Sequence, residues 1–255
     1  MSRTTNQREE EILREIQKAG GTCRIGFLAS QLGVSQETVR RNIRSLEQSG
    51  AVRKVHGGVH LVDRLDEPPF QNRMDRNGAI KQRLARRVAE IIGDEKSVFL
   101  DVGSSTAYAA MALRDCKKLM VVSNSIYVAQ MLAMRNDNRV FLAGGELRSH
   151  DGGAFGAEAL DLVQRFNVEF AVFSVGAINA DKGFMLHDFQ EANIARVVAR
   201  NAQTKIVIAD SEKFGKRAPV VVDYSNQIDI LVTNAQPPAD ICNMLARHEI
   251  ELVIA

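Results

Sequence analysis

Three arginines and a threonine crowd one short stretch of this sequence: Thr38, Arg40, Arg41 and Arg44. Ser35 is a good N-cap for a helix there, and Val39, Ile43 and Leu46 then fall at i, i+4 and i+7 on its buried face. That leaves Gln36, Glu37, Thr38, Arg40, Arg41 and Arg44 pointing outward. Arginine reads guanine and glutamine reads adenine when the first turns of a helix enter the major groove. Thr38 and Arg41 share one side, Arg40 and Arg44 the next, so one row can meet base edges while the other holds phosphates. Arg53, Lys54 and His56, a little further on, would add contacts to the DNA backbone. A cluster of arginines is also, by itself, an ordinary solvated helix face. Its surroundings decide between the two.

A second constellation follows the apolar run Val98-Phe99-Leu100: Asp101-Val102-Gly103-Ser104-Ser105-Thr106, and then a helix-forming stretch. A strand that turns through small hydroxyl residues into a helix N-terminus is a ready anion site, because free backbone N–H groups and the helix dipole favour phosphate. The glycine and lysine spacings of a Walker loop or a dinucleotide fingerprint are absent. The same pattern also serves as a plain helix cap. Other strand ends add Asn124, Gly144 and Gly145, Arg148, Gly176 and the run Asp210 to Gly215. In open α/β sheets ligands sit outside the carboxyl ends of the strands, where such loops converge. Lys213 and Arg148 suit a phosphate; Asp101, Asn124 and Glu191 suit polyol hydroxyls.

The elements that must position these residues are legible as patterns. Asn6 to Ala19 reads as a helix with Ile12, Leu13 and Ile16 on one face, and Ile25 to Leu32 as a short second helix. After the third helix, Ala51 to Val55 and Val59 to Leu61 read as a hairpin turned at His56-Gly57-Gly58. Residues 1–62 thus form a winged helix-turn-helix, 63–77 a polar, proline-doubled linker, and 78–255 an α/β domain. That domain begins with a helix from about Gly78 to Ile92. Buried-type strands then alternate with helices: Val98 to Leu100, Leu119 to Val122, Val140 to Ala143, Phe170 to Val175, Ile206 to Ala209, Ile230 to Thr233 and Leu252 to Ile254. Such alternation predicts a mainly parallel sheet covered on both faces.

The composition of the 255 residues, 45% hydrophobic and 25% charged, is that of a globular protein, and no apolar run approaches a membrane span. Residues 1–64 carry 11 Lys/Arg against 7 Asp/Glu and the remainder 22 against 24, a basic head on a near-neutral body. Met1 to Glu11 has no apolar signal-peptide core, and three scattered cysteines form no metal spacing, so a reduced cytoplasmic protein is expected. His150-Asp151 and His187-Asp188 are adjacent pairs that would point apart on a strand. No metal or other cofactor is expected.

Ser35, Thr38-Val39-Arg40-Arg41, Leu46, Gly50 and His56-Gly57-Gly58 resemble the DNA-binding signature of the DeoR family of bacterial metabolic repressors. Arg73, Lys81, the 101–106 loop, Asn124, Gly144-Gly145, Gly152, Gly156, Glu191 and Asp210 to Phe214 resemble its effector-domain markers. The block from Leu142 to Gly153 looks closest to the glycerol-3-phosphate regulon repressor branch. The resemblance implies a domain folded like ribose-5-phosphate isomerase, a phosphorylated effector with glycerol 3-phosphate as first choice, and release from a double-stranded DNA operator. A homo-oligomer, dimer or tetramer, is expected. Three positions depart from the family pattern: Asn42 for Asp, Lys54 for Arg, and Ala195-Arg196 for Lys-Arg.

Two other readings remain at this point. One is a sugar-phosphate isomerase-like enzyme carrying a DNA-binding head, with Glu191 as its base; against it, Gly176-Ala177-Ile178-Asn179 has no carboxylate where the isomerases have an acidic run. The other is an adaptor that uses the sheet only to oligomerise, which leaves the hydroxyl loop idle.

Overall fold

The computed structural model describes residues 7–19, 21–48, 51–55, 57–61, 67–222 and 227–255. The chain divides into two compact units, Met1–Arg64 and Leu65–Ala255.

The first unit runs α1 (Gln7–Lys18), β1 (Thr22–Arg24), α2 (Ile25–Gln31), α3 (Gln36–Gln48), β2 (Val52–Val55) and β3 (Gly58–Leu61). Its core draws Ile12 and Ile16 from α1, Leu28 from α2, Val39, Ile43 and Leu46 from α3, and Val52 and Val59 from the hairpin. The helical spacing of those residues is what makes each helix bury one stripe. Ser35 starts α3: its Oγ accepts the Thr38 backbone N–H at 3.2 Å. The wing is larger than expected. Thr22–Arg24 joins it as a third strand, antiparallel to β3, giving the order β1-β3-β2. Three residues are too few to show alternation, so this strand left no pattern. Gly58 is needed where β3 meets β1, since a Cβ there would lie 2.4 Å from the Cys23 carbonyl oxygen. His56 lies outside the described residues.

The second unit opens with α4 (Phe70–Asp75) and α5 (Gly78–Ile92). The stretch 63–77 is therefore not all unstructured linker. Phe70 is buried and stacks on Tyr127 with ring centroids 4.6 Å apart, which gives this short helix a reason to form. Then follow β4 (Ser97–Leu100), α6 (Ser104–Ala112), β5 (Met120–Ser123), α7 (Ile126–Leu132), β6 (Arg139–Leu142), α8 (Ala157–Val163) and β7 (Phe170–Ser174). The chain continues through β8 (Ala177–Asn179), β9 (Gly183–Leu186), α9 (Phe189–Asn201), β10 (Thr204–Ile208), β11 (Val220–Val221), β12 (Ile230–Thr233), α10 (Ala239–Arg247) and β13 (Glu251–Ile254).

Seven strands form one sheet in the order β13-β12-β10-β7-β4-β5-β6, and every neighbouring pair is parallel. All seven stretches expected to be strands are in it. Alternate residues feed opposite faces: Phe99, Phe173, Val207 and Leu231 enter one core, Val98, Leu100, Val172, Ile206 and Ile208 the other. Leu84 and Val88 of α5 join the second core, Ala192 and Ile194 of α9 the first. A small antiparallel sheet, β11-β9-β8, was not legible, because its strands are two to four residues long.

The strand order reverses at one place. From β4 the chain moves outward through β5 and β6, then returns to lay β7 on the other side of β4 and moves outward again through β10, β12 and β13. In open α/β sheets such a reversal, here at the carboxyl ends of β4 and β7, is where the ligand crevice lies. The loop after β4 is Asp101–Gly103.

Candidate functional site

On α3 the structure buries Val39, Asn42, Ile43 and Leu46 and exposes Gln36, Glu37, Arg40, Arg41 and Arg44, with Thr38 half-buried. Ser35 and Thr38 hydroxyls lie 2.9 Å apart. Arg40 approaches Glu37 at 3.7 Å, an exposed pair that leaves the guanidinium available. Asn42 sits on the buried side and donates to the Thr38 carbonyl at 2.8 Å. It acts as a polar stitch within the helix, a task an aspartate could not perform because it has no donor. On the wing, Arg53 and Lys54 are exposed. Lys54 is already engaged: its ammonium meets Glu47 at 2.5 Å.

At the crevice, Asp101 is buried and held by the sheet: its N–H donates to the Val172 carbonyl of β7 at 3.1 Å. The Val102 N–H donates to Asp101 Oδ1 at 2.8 Å and to Asn124 Oδ1, from the end of β5, at 3.0 Å. Ser174, at the end of β7, donates to the Val102 carbonyl at 3.3 Å. Three strand ends thus shape one loop. A Cβ on Gly103 would lie 2.2 Å from Ser174 Oγ, so the loop reaches this course only with glycine. Ser104, Ser105 and Thr106, all buried, then open α6. Thr106 turns its hydroxyl inward to the Gly103 carbonyl at 3.0 Å. Asn124 Nδ2 is buried with no hydrogen-bond partner among the described residues. An orphaned donor beside an anion-type turn is costly unless something accepts from it.

Cations gather on one side. Lys81 projects from α5 into the protein, 3.0 Å from Ser104 Oγ, and also donates to the Arg73 carbonyl. Burial pulls its pKa down to about 8, against the attraction of Asp210. Lys213 follows β10, and burial lowers its pKa too, while Glu67 and Asp210 raise it. Carboxylates gather on the other side. Arg148 stacks over Phe155 at 4.2 Å, donates to Asp151 through Nε at 3.0 Å and through Nη2, and also reaches Glu191. One guanidinium faces Asp151, Glu191 and the nearby Asp101. Asp151 is held below its usual range by its bonds to Arg148 and Gly153, which outweigh burial. The other two are pushed up, Glu191 to about 8 by burial and by Glu67, and Asp101 to about 7 by burial.

The structure therefore brings Asp101, Gly103 to Thr106 and Asn124 together, and sets Arg148 against Glu191 beside them. Gly144 and Gly145 are exposed turn positions on the loop after β6. Ala195 packs in the main core, so the lysine expected at that position leaves no gap in this cluster. His150 and Asp151 do not point apart: they stand in a turn, with Nε2 3.8 Å from Oδ2. Asp151 is a functional candidate that the sequence reading does not single out, and Lys81 is one that only the family resemblance marks. Lys81 did leave a signal, since it falls in line with Leu84, Ala85 and Val88 on the buried face of α5. Among the described residues, no group of His, Cys, Asp and Glu could hold a metal ion, and no helix is long and apolar enough to cross a membrane.

A winged helix-turn-helix unit followed by an α/β unit of this kind is the architecture of a DNA-binding transcription regulator with a sensor domain. The DeoR-like helix-turn-helix domain matches residues 8–64 and the DeoR C terminal sensor domain residues 76–235. The chain belongs to the DeoR family. It is 32% identical over 246 residues to the glycerol-3-phosphate regulon repressor of Escherichia coli K12, covering 96% of this chain and 97% of that one. It is also 32% identical to the HTH-type transcriptional repressor CsqR of the same organism, over 98% of this chain and 96% of the relative. Among solved structures, ribose 5 phosphate isomerase A from Neisseria gonorrhoeae aligns over 54% of this chain and 53% of its own, at 19% identity and a TM-score of 0.40. The two full-length relatives named above are transcriptional repressors, which places this chain among regulators and not among enzymes.

Proposed function

We propose that this protein is a repressor of carbohydrate or glycerol metabolism that leaves its operator when a small phosphorylated metabolite, glycerol 3-phosphate by first choice, binds the second unit. The carrying observation is a coincidence at the reversal of strand order: the Asp101–Gly103 loop, the N-terminus of α6, the orphaned Asn124 amide and the buried Lys81 all meet there. Backbone N–H groups, the serine hydroxyls and the ammonium groups of Lys81 and Lys213 would hold a phosphate dianion. Asp101 and Glu191 would accept from hydroxyls of the ligand. Arg148 is committed to Asp151 and Glu191, so it orients a carboxylate and leaves the phosphate to the lysines. In the first unit, Thr38, Arg41 and Gln36 would read bases, and Ser35, Arg40, Arg44, Arg53 and Lys54 would hold phosphates. The relatives named for glycerol 3-phosphate support the choice of ligand. A cytoplasmic homo-oligomer, dimer or tetramer, completes the reading.

The test is operator binding by the wild type and by Ser105→Asp, titrated with glycerol 3-phosphate and, separately, with fructose phosphates. Ser105→Asp puts a like charge on the loop and is expected to abolish release while DNA affinity stays intact. Ser105→Ala removes one donor and is expected to weaken ligand binding by roughly 1–2 kcal/mol. Release of Ser105→Asp at wild-type ligand concentrations would move the phosphate elsewhere.

A further inference from the structure

Three candidates outside the proposed ligand contacts stand out. Ile126, Tyr127, Leu147 and Phe189 are exposed apolar side chains, and nothing in the structure says what covers them. Of the three cysteines, Cys23 is buried and Cys116 and Cys242 are half-buried, and no bound group marks any of them. The third is the carboxylate of Glu67, at the start of the second unit.

Glu67 stands three residues beyond Arg64, the last residue of the DNA-binding unit. Its carboxylate lies 2.8 Å from Arg73 Nη1, and the two side chains are only 19% and 12% exposed. That is unusual for acidic and basic residues flanking a boundary between units, where solvated side chains are the rule. Arg73 also donates through Nε to the Pro68 carbonyl at 3.1 Å, so the segment Glu67-Pro68-Pro69 is clamped at two points. The Arg73 carbonyl in turn accepts from Lys81, and Lys81 donates to Ser104 at the start of α6. Arg73 therefore links the two: its guanidinium holds Glu67 and its carbonyl holds Lys81, which reaches Ser104 beside the loop assigned above to the phosphate. The Glu67 charge is also felt at Lys213 and at Glu191, the cationic and acidic sides of the crevice.

We infer that Glu67 is a built-in competitor for the phosphate: its carboxylate pairs with Arg73 and offsets the charge of Lys213 in the ligand-free protein, and a phosphorylated ligand drives it out. This rests on the ligand site proposed above. A dianion beside the same cations gains what the monoanion loses and repels it at close range. Displacement frees Glu67, Pro68 and Pro69, the described residues next in sequence to the DNA-binding unit. Ligand binding is thereby coupled to the head through a contact made in one state and broken in the other, which is what differential affinity requires.

The full-length protein and two variants, Glu67→Gln and Glu212→Gln, decide the matter. Glu212 is a second carboxylate of the neighbourhood, 2.6 Å from Arg76, but lies on the far side of the sequence from the boundary. Binding of inorganic phosphate and of glycerol 3-phosphate is measured by calorimetry, and tryptic cleavage at Arg64 with and without each ligand. Removing a competitor that holds the site most of the time is expected to tighten both ligands on the order of tenfold in Glu67→Gln. Cleavage is expected to accelerate with ligand in the wild type and in Glu212→Gln, and to be fast without ligand in Glu67→Gln. Wild-type affinity and wild-type cleavage in Glu67→Gln would overturn the competitor while leaving the ligand site standing. Failure of all three proteins to bind either ligand would overturn the ligand site itself, and the competitor with it.

Discussion

Glu47 and Lys54 are joined twice: the carboxylate accepts the Lys54 backbone N–H at 3.2 Å and its ammonium at 2.5 Å. The pair ties the end of α3 to the first wing strand, and the ammonium also holds the Glu47 carboxyl below its ordinary range. The wing's cation is thus partly neutralised before DNA arrives. Lys54→Ala is expected to weaken operator and random duplex alike and to reduce the salt slope by about one. Glu47→Gln is expected to do the reverse, strengthening binding to both. Filter binding at several salt concentrations measures each.

Arg41 is exposed on the outer face of α3 and shares its side with Thr38. Arg41→Ala is expected to remove about 1–3 kcal/mol of preference for operator over random duplex. Competition binding with the two duplexes reads this directly. Unchanged preference would mean that the adjacent row, Arg40 and Arg44, reads the bases.

Gly103 has no room for a side chain beside Ser174. Gly103→Ala is expected to destabilise the second unit by about 1–3 kcal/mol, the usual cost of overpacking. Adding Ser174→Gly removes the atom in the way and is expected to restore part of the melting temperature. Absence of any rescue would place the strain elsewhere in the loop.

Glu191 gives stability a pH dependence whose sign is fixed by its environment. Its folded pKa, raised by burial and by Glu67 to about 8 from 4.5, means that the folded state prefers the proton. Its contribution is therefore full below about pH 4.5 and is lost as pH climbs toward 8. Glu191→Gln cannot ionise, so its stability relative to wild type is expected to rise across that window. Urea denaturation of both proteins at pH 5 and pH 8 checks the difference.

The parallel sheet is legible because its five inner strands are buried on both faces and read as apolar runs dominated by Val, Ile, Leu and Phe, and the two half-exposed edge strands, β6 and β13, keep enough of the same residues to be recognised. The face of α3 was legible for a related reason: a single helical stripe, Val39, Ile43 and Leu46, assigns every other position. The elements that leave no pattern in the sequence are short or held by distant partners. Thr22–Arg24 and Val220–Val221 owe their pairing to partners far along the chain. Arg148 looked like a free cation because Glu191, 43 residues away, could not be placed against it. Phe70 reads as part of the 63–77 linker because its stacking partner, Tyr127, lies far along the sequence.

Asp101 leans on a strand made much later: its N–H bonds to Val172, and β4 pairs with β7 from Val98↔Phe170 onward. The DNA-binding unit, by contrast, is complete by Arg64. On the ribosome the head can fold while the crevice still lacks one wall, because domains fold as units and N-terminal ones emerge first. A nascent or prematurely ended chain that stops before Phe170 would carry a finished head and no way to answer a ligand.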